Sequence, residues 1–450
     1  MLLGWFAEGA DSDAGLLAFR RLSDELGTTH WYLKLLRDSG MAAQRLAKVL
    51  STSRYAAEAL ARSPESVAWL DDDGELAPRD VARLAAEADA LLARQDDAQV
   101  AATLLRALRR RETARTAVGQ VLGSTSLIAG AAALTAAAET ALAGVLRIAE
   151  YEVRNGPEGT LTRMSIIAMG RLGGAELGYG SDADVLFVHD PLPGADEAKA
   201  QAQATAIATR VRALLGAVGA EPILEVDADL RPEGRNGPLV RTLGAFAEYY
   251  QRWSSPWESQ ALLRARPVAG DEDLGERFIA LIDPLRYPEG GASPTVVKEV
   301  RRLKARMEAE RLPRGVDPNR HLKLGRGGLS DVEWTAQLLQ LQHGFEVPGL
   351  RTTSTLGALT AARDAGLLDQ QDMALLEHAW RLASGLRNAV VLWTGRTGGA
   401  SADLLPHDRR DLLGLDRVLG NPPGGHGDLA DTYLRVARRA RGVVDRVFYD

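Results

Sequence analysis

Gly170-Arg171-Leu172-Gly173-Gly174-Ala175-Glu176-Leu177-Gly178-Tyr179-Gly180-Ser181-Asp182-Ala183-Asp184-Val185-Leu186-Phe187-Val188 is a glycine-rich approach that ends in two aspartates and enters an apolar run. If residues 182 to 188 form a strand, side chains alternate, and the carboxylates of Asp182 and Asp184 point the same way with Cα atoms roughly 6.5 Å apart. Two divalent ions about 3.5 to 4 Å apart can bridge such a pair. Hard cations such as Mg²⁺ take oxygen ligands and are held by one or two carboxylates plus substrate phosphates, the ligand set this turn offers.

Working outward, Met164 to Met169 reads as a preceding strand, and Pro222 to Asp229 as a second acidic strand with Glu225, Asp227 and Asp229 at period two. Like charges gathered this closely resist ionisation unless cations neutralise them, which favours a metal over a solvated acidic surface. Gly173 and Gly174 are expected to let backbone N–H groups approach a triphosphate, with the Ser181 hydroxyl beside the first carboxylate. Competing phosphate motifs fail on the letters. There is no G-x-x-x-x-G-K-[ST], and Gly178-x-Gly180 runs into a strand where a dinucleotide fingerprint opens a helix.

The flanks read as helix. Leu16, Leu17, Phe19, Leu22 and Leu26, then Leu46, Val49 and Leu50, recur at helical spacing. Helices are expected over 198–218 and 244–253, and again over 296–311, where Ser293 is the N-cap and Pro294 lies in the first turn. Thr116 to Ala138 is uncharged but weakly apolar, so it reads as a packed helix and not a membrane span. The cluster Arg109, Arg110, Arg111 and Arg115 reads as a solvated helix face. The loop 420–427 reads as flexible, and the helix after it as basic on one side. His189-Asp190 is a strand exit with no companion histidine at useful spacing.

Length and composition set the class. The 450 residues exceed one ordinary core and divide as 1–150 (helical), 151–290 (the chemistry) and 291–450 (helical). With 46% hydrophobic and 25% charged residues the chain is globular, and its net charge of -6 supplies no general field for nucleic acid or anionic lipid. The absence of cysteine excludes disulfides and thiolate metal sites. Seven histidines without close pairs argue against zinc. The N-terminus lacks the pattern of a signal peptide.

The glycine-aspartate stretch resembles the signature of glutamine synthetase adenylyltransferase, a family of the DNA polymerase beta-like nucleotidyltransferase superfamily. Glu225-Val226-Asp227-Ala228-Asp229-Leu230-Arg231-Pro232 is similar to that family's third-carboxylate strand, Trp257-Glu258-Ser259-Gln260-Ala261-Leu262 to its W-E-x-Q-A-L segment, and Gly327-Gly328-Leu329-Ser330-Asp331-Val332-Glu333 to the opening of its C-terminal helical domain. The family enzyme carries two such units, one removing AMP and one adding it. Gly178-Tyr179-Gly180-Ser181-Asp182 resembles the C-terminal, adenylylating unit, so the chain is expected to be that half. At Asp229 the sequence departs from the family, which often has arginine there.

The resemblance implies a mainly α chain with an α+β core, a small mixed sheet flanked by helical domains. It implies AMP transfer from ATP to a tyrosine of glutamine synthetase. Asp182, Asp184 and Asp227 are expected as catalytic metal ligands for Mg²⁺ or Mn²⁺, and Gly173, Gly174, Ser181 and Arg231 as nucleotide-binding residues. Arg231, Arg264, Arg266 and Lys323 stand evenly between contact with phosphates or the protein substrate and internal ion pairing, while Asp331 and Glu333 read as structural. A PII-type signal protein is the expected partner, with no nucleic acid or membrane, in the cytoplasm. Phosphorolytic removal of AMP is the alternative on the same fold, and a non-catalytic helical scaffold the alternative of another class.

Overall fold

In the computed structural model, which describes residues 2–312, 315–398, 400–421 and 428–450, 67% of the chain is helical around one small sheet. Two long helices, α1 (Ala98–Leu122) and α2 (Leu127–Arg154), pack along each other ahead of the sheet. The uncharged stretch 116–138 is two helices and not one. Gly123 takes φ +85° at the end of α1, a conformation open to glycine without steric cost, and Ser126 caps α2 by accepting from Ala129 N at 3.2 Å. α2 is long and apolar enough to cross a membrane, yet 67% of its most apolar window is buried inside the protein.

The arginine cluster on α1 is the other departure from expectation. Arg109 donates to the carbonyls of Pro222 (2.9 Å) and Ile223 (2.7 Å), Arg110 pairs with Glu221 at 2.7 Å, and Arg115 is buried over the Trp69 ring. Arg109 and Arg110 tie the leading helices to the segment before the third strand, while Arg115 pairs with Glu112 within them. A planar multi-donor head can satisfy several carbonyls at a packed seam, which helical periodicity alone does not reveal.

The sheet has strands β1 (Thr162–Ala168), β2 (Ala183–Pro191), β3 (Val226–Asp227), β4 (Val240–Thr242) and β5 (Arg266–Gly270). β2 is its axis. β1 runs antiparallel to it, pairing Ala168 with Val185, and continues antiparallel to β5. On the other side β3 and then β4 run parallel to β2, through Asp184↔Asp227 and Phe187↔Val240. The expected second strand over 222–229 shrinks to two residues. α3 (Glu197–Leu215) connects β2 to β3 and replaces the expected 198–218.

Alternation along β2 sends Val185 and Phe187 into the larger apolar cluster with α2 and α3. Leu186 and Val188 face a second cluster with α4 (Leu243–Trp253), α5 (Pro256–Leu262) and α6 (Glu272–Arg286). The larger cluster continues without a break from Phe6 to Phe448. Beyond the sheet come α7 (Pro294–Glu310), capped by Ser293 as expected, α8 (Leu329–His343), α9 (Thr355–Asp364), α10 (Gln370–Thr394) and α11 (Leu429–Val444). Of the loop 420–427, residues 422–427 lie outside the described residues.

Candidate active site

Asp182 and Asp184 have the same parity as Leu186 and Val188, so they lie on the α4–α6 face of the sheet, at the start of β2 where those helices leave it open. Parallel register sets Asp227 beside Asp184. One carboxylate oxygen from each of Asp182, Asp184 and Asp227 lies within 4.8 Å of the other two, with Asp182 exposed and the others half-buried. Burial first, and then the charges of Asp182 and Asp227, push the Asp184 carboxyl up to about 7, with the Lys323 ammonium pulling the other way. A site of hard oxygen donors under mutual repulsion suits a hard divalent cation and not a soft metal.

The local backbone explains the geometry. Met169 N donates to the Asp184 carbonyl at 2.8 Å, ending β1 against β2. Gly170 then takes φ +50°, and a Cβ there would collide with the Asp184 carboxylate. Gly170 is therefore the residue that gives the carboxylate its room, a role hidden in the motif until the turn is folded. Asp227 Oδ1 accepts from Asp229 N at 2.7 Å, which steadies it at the strand end.

The expected phosphate-binding residues are placed differently. The Gly173 and Gly174 amides donate inside the turn, to Met169 O (2.7 Å) and Gly170 O (3.2 Å), so the expectation that they are offered to phosphates is corrected. A Cβ on either would strike Arg264, which is the packing reason for two glycines there. Ser181 Oγ accepts from Gly178 N at 3.0 Å and closes the tip of the loop next to Asp182. Arg231 holds the carbonyls of Ala228 (2.8 Å), Gly237 (3.1 Å) and Arg235 (3.1 Å), so its guanidinium builds the 228–237 loop.

Asp229 turns to Arg235 at 2.5 Å, whose hydrogen bond holds its carboxyl below the usual range, and Glu225 is exposed. Neither joins the trio. Arg264 pairs with Glu176 and Arg266 with Glu139. Lys323, exposed on the C-terminal side, is the one of the four basic candidates whose charge acts on Asp184. Asp331 is buried and accepts from Lys304, Arg441 (3.0 Å) and Gly327 N (2.7 Å), a structural role. His189 is buried, with ring nitrogens 2.9 Å from Thr162 Oγ1 and 2.9 Å from Gln201 Oε1, as a strand exit requires.

A three-carboxylate edge on a small mixed sheet, entered through a glycine-rich turn, defines a class of fold and site that comparison resolves to one family. Residues 43–280 match the glutamate-ammonia ligase adenylyltransferase family, and the chain belongs to it. Residues 298–448 match the GlnD PII-uridylyltransferase family. The chain is 55% identical to the bifunctional glutamine synthetase adenylyltransferase/adenylyl-removing enzyme of Streptomyces coelicolor, over 100% of its own length and 46% of that protein. Against the protein of the same name from Mycobacterium avium it is 48% identical, over 99% of the chain and 45% of that protein. The chain thus spans less than half the length of these relatives.

Proposed function

We propose that this chain transfers AMP from ATP to a tyrosine hydroxyl of glutamine synthetase. The observation that carries the reading is the convergence of Asp182, Asp184 and Asp227 on one open face, in a chain of this family. In this reading the three carboxylates hold two Mg²⁺ or Mn²⁺ ions, which when bound align the attacking and leaving oxygens and neutralise charge on pyrophosphate. Asp227 accepts the tyrosine proton. Lys323 meets the phosphates from the C-terminal side, and Ser181 shapes the loop beside Asp182.

The same reading keeps the division into 1–150, 151–290 and 291–450, a polymerase beta-like centre between helical parts, in the cytoplasm. A PII-type signal protein is the partner it implies, supported by the C-terminal match to a PII-uridylyltransferase family. The name of the relatives also covers AMP removal, so phosphorolysis of modified glutamine synthetase is the second reading. Incubation with labelled ATP, Mg²⁺ and unmodified glutamine synthetase, beside AMP-modified enzyme with phosphate, separates them. Label appearing on glutamine synthetase supports transfer; release from the modified enzyme alone overturns it in favour of the second reading, and inertness in both arms returns the scaffold.

A further inference from the structure

We propose that Glu176 is a positioning residue: a buried latch that seats the glycine-rich turn, and with it Asp182 and Asp184, on the C-terminal helices. The inference rests on the reading of Asp182, Asp184 and Asp227 as the metal-holding group.

Glu176 and Arg264 are each 5% exposed. Glu176 Oε1 accepts from Thr355 N at 2.7 Å, and Oε2 accepts from Arg264 Nη1 at 2.8 Å and Thr355 Oγ1 at 3.0 Å. Arg264 also donates to Thr355 Oγ1 (2.7 Å) and Thr353 O (2.9 Å). One carboxylate from the turn, one arginine following α5 and the first residue of α9 are thus locked together. Thr355 N–H is an otherwise orphaned donor at a helix start, and a negative charge is favoured there.

The turn is built to need this latch. Ala175, immediately before Glu176, sits at φ +55°, a conformation that costs a residue with a Cβ and persists only where its surroundings over-determine it. Arg171 and Glu176 close the turn by exchanging backbone and side-chain hydrogen bonds at 2.9 and 2.7 Å. One end of this closed piece abuts the Asp184 carboxylate through Gly170, and the other is held by Arg264 and Thr355. Further along, Gly178 and Gly180 have no room for a Cβ because Asn388 and Thr397 of the C-terminal part stand against them. The loop that ends at Asp182 is thus seated on the C-terminal part at Glu176, Gly178 and Gly180, and touches the leading helices through Leu177 N, which donates to Thr135 Oγ1 at 3.4 Å, and the Tyr179 hydroxyl, which donates to Gln120 Oε1 at 2.7 Å.

A buried ion pair is weak evidence for stability, since desolvation offsets its attraction, so its value here is in geometry. A rival carboxylate is near: Glu333 Oε1 is 3.9 Å from Arg264 Nη2 and buried without a hydrogen-bond partner among the described residues. Neutralising Glu176 leaves Arg264 free to turn to Glu333, shifting the turn without unfolding it.

The test uses the 450-residue chain and reads Mn²⁺ affinity by calorimetry well below the melting temperature, together with kcat and KM for AMP transfer. Glu176→Gln is expected to weaken Mn²⁺ binding by about tenfold and to lower kcat on the order of a hundredfold, with KM for glutamine synthetase unchanged. Thr355→Val is expected to move the same readouts in the same direction, and Thr355→Ser to restore them; this pair decides the matter if Glu176→Gln does not fold. Wild-type Mn²⁺ affinity in folded Glu176→Gln and Thr355→Val would reduce Glu176 to a packing role and overturn the proposal. Failure of the unaltered chain to bind Mn²⁺ would instead remove the metal reading on which it stands.

Discussion

Asp184 and Asp227 are register partners on neighbouring parallel strands, with their carboxylates on the same open face of the sheet. Directly paired residues share a face, so β2 and β3 bring together two acids that are distant in sequence, and Asp182, immediately before β2, joins them two residues from Asp184.

Replacing either acid of the D-x-D pair removes charge from that face without disturbing the strand. Asp182→Asn and Asp184→Asn are each expected to abolish measurable AMP transfer while leaving circular dichroism near that of the parent and the melting temperature no lower. A loss of about 3 kcal/mol of transition-state stabilisation slows a reaction on the order of a hundredfold. Full activity in either variant would refute the assignment.

The environment of Asp184 makes metal binding pH-dependent. Its carboxyl, pushed up to about 7 from 3.8, must lose its proton before it can ligate. Mn²⁺ affinity is expected to rise about tenfold per pH unit below 7 and to level off above it. The stability sign is the opposite for the metal-free chain: a carboxyl raised on folding contributes stability that is present at low pH and is lost as pH rises through 7, and bound metal restores it. Glu150, raised to about 7 by burial and by the charge of Asp271, lies on α2 and titrates in the same range. Glu150→Gln is therefore the background in which calorimetry and thermal melts against pH isolate Asp184, and a flat affinity between pH 5.5 and 7 would contradict the account.

Gly170→Ala tests the room given to Asp184. The added Cβ meets the carboxylate, and φ +50° costs a side chain roughly 1 to 2 kcal/mol. Mn²⁺ affinity is expected to fall at least about tenfold. Gly442→Ala, in α11 with open space around it, serves as the control and is expected to stabilise by about 0.4 to 1 kcal/mol. Equal effects of the two substitutions on metal affinity would count against a special role for Gly170.

Lys323→Ala removes the ammonium that lowers the Asp184 carboxyl. KM for ATP is expected to rise about tenfold, the value of one charge-assisted contact. The pH midpoint of Mn²⁺ binding should move upward in the same variant, because a cation that favours the carboxylate has gone. An unchanged midpoint and an unchanged KM would place Lys323 outside the site.

Much of the site was legible because its signals are local. D-x-D at the head of an apolar run carries its own geometry, since alternation along a strand needs no knowledge of the rest of the chain, and the same holds for the Ser293 cap and for the helix starting at 243. Signals that depend on how the chain packs misled. Gly173 and Gly174 resemble phosphate-cradling glycines but make way for Arg264; Arg231, open in sequence to a phosphate or an internal partner, is surrounded by carbonyls of its own loop; and Arg109 and Arg110 of α1 look solvated but close a seam onto residues 221–223. In each case the residue type is compatible with two surroundings, and only packing selects between them.

The amino-acid sequence by itself determined the helical flanks, the sheet's central strand, the two carboxylates on that strand and the family resemblance, because periodicity and short-range stereochemistry depend only on neighbours along the chain. The resemblance already named Asp227; the tertiary structure alone decided that Asp229 turns away to Arg235, that Gly170 and not Gly173 or Gly174 opens the space beside Asp184, and that Glu176 is buried against Arg264 and Thr355. Those outcomes follow from strand register and from which donors meet which acceptors across packed elements, and both are settled only when segments far apart in sequence are brought into contact.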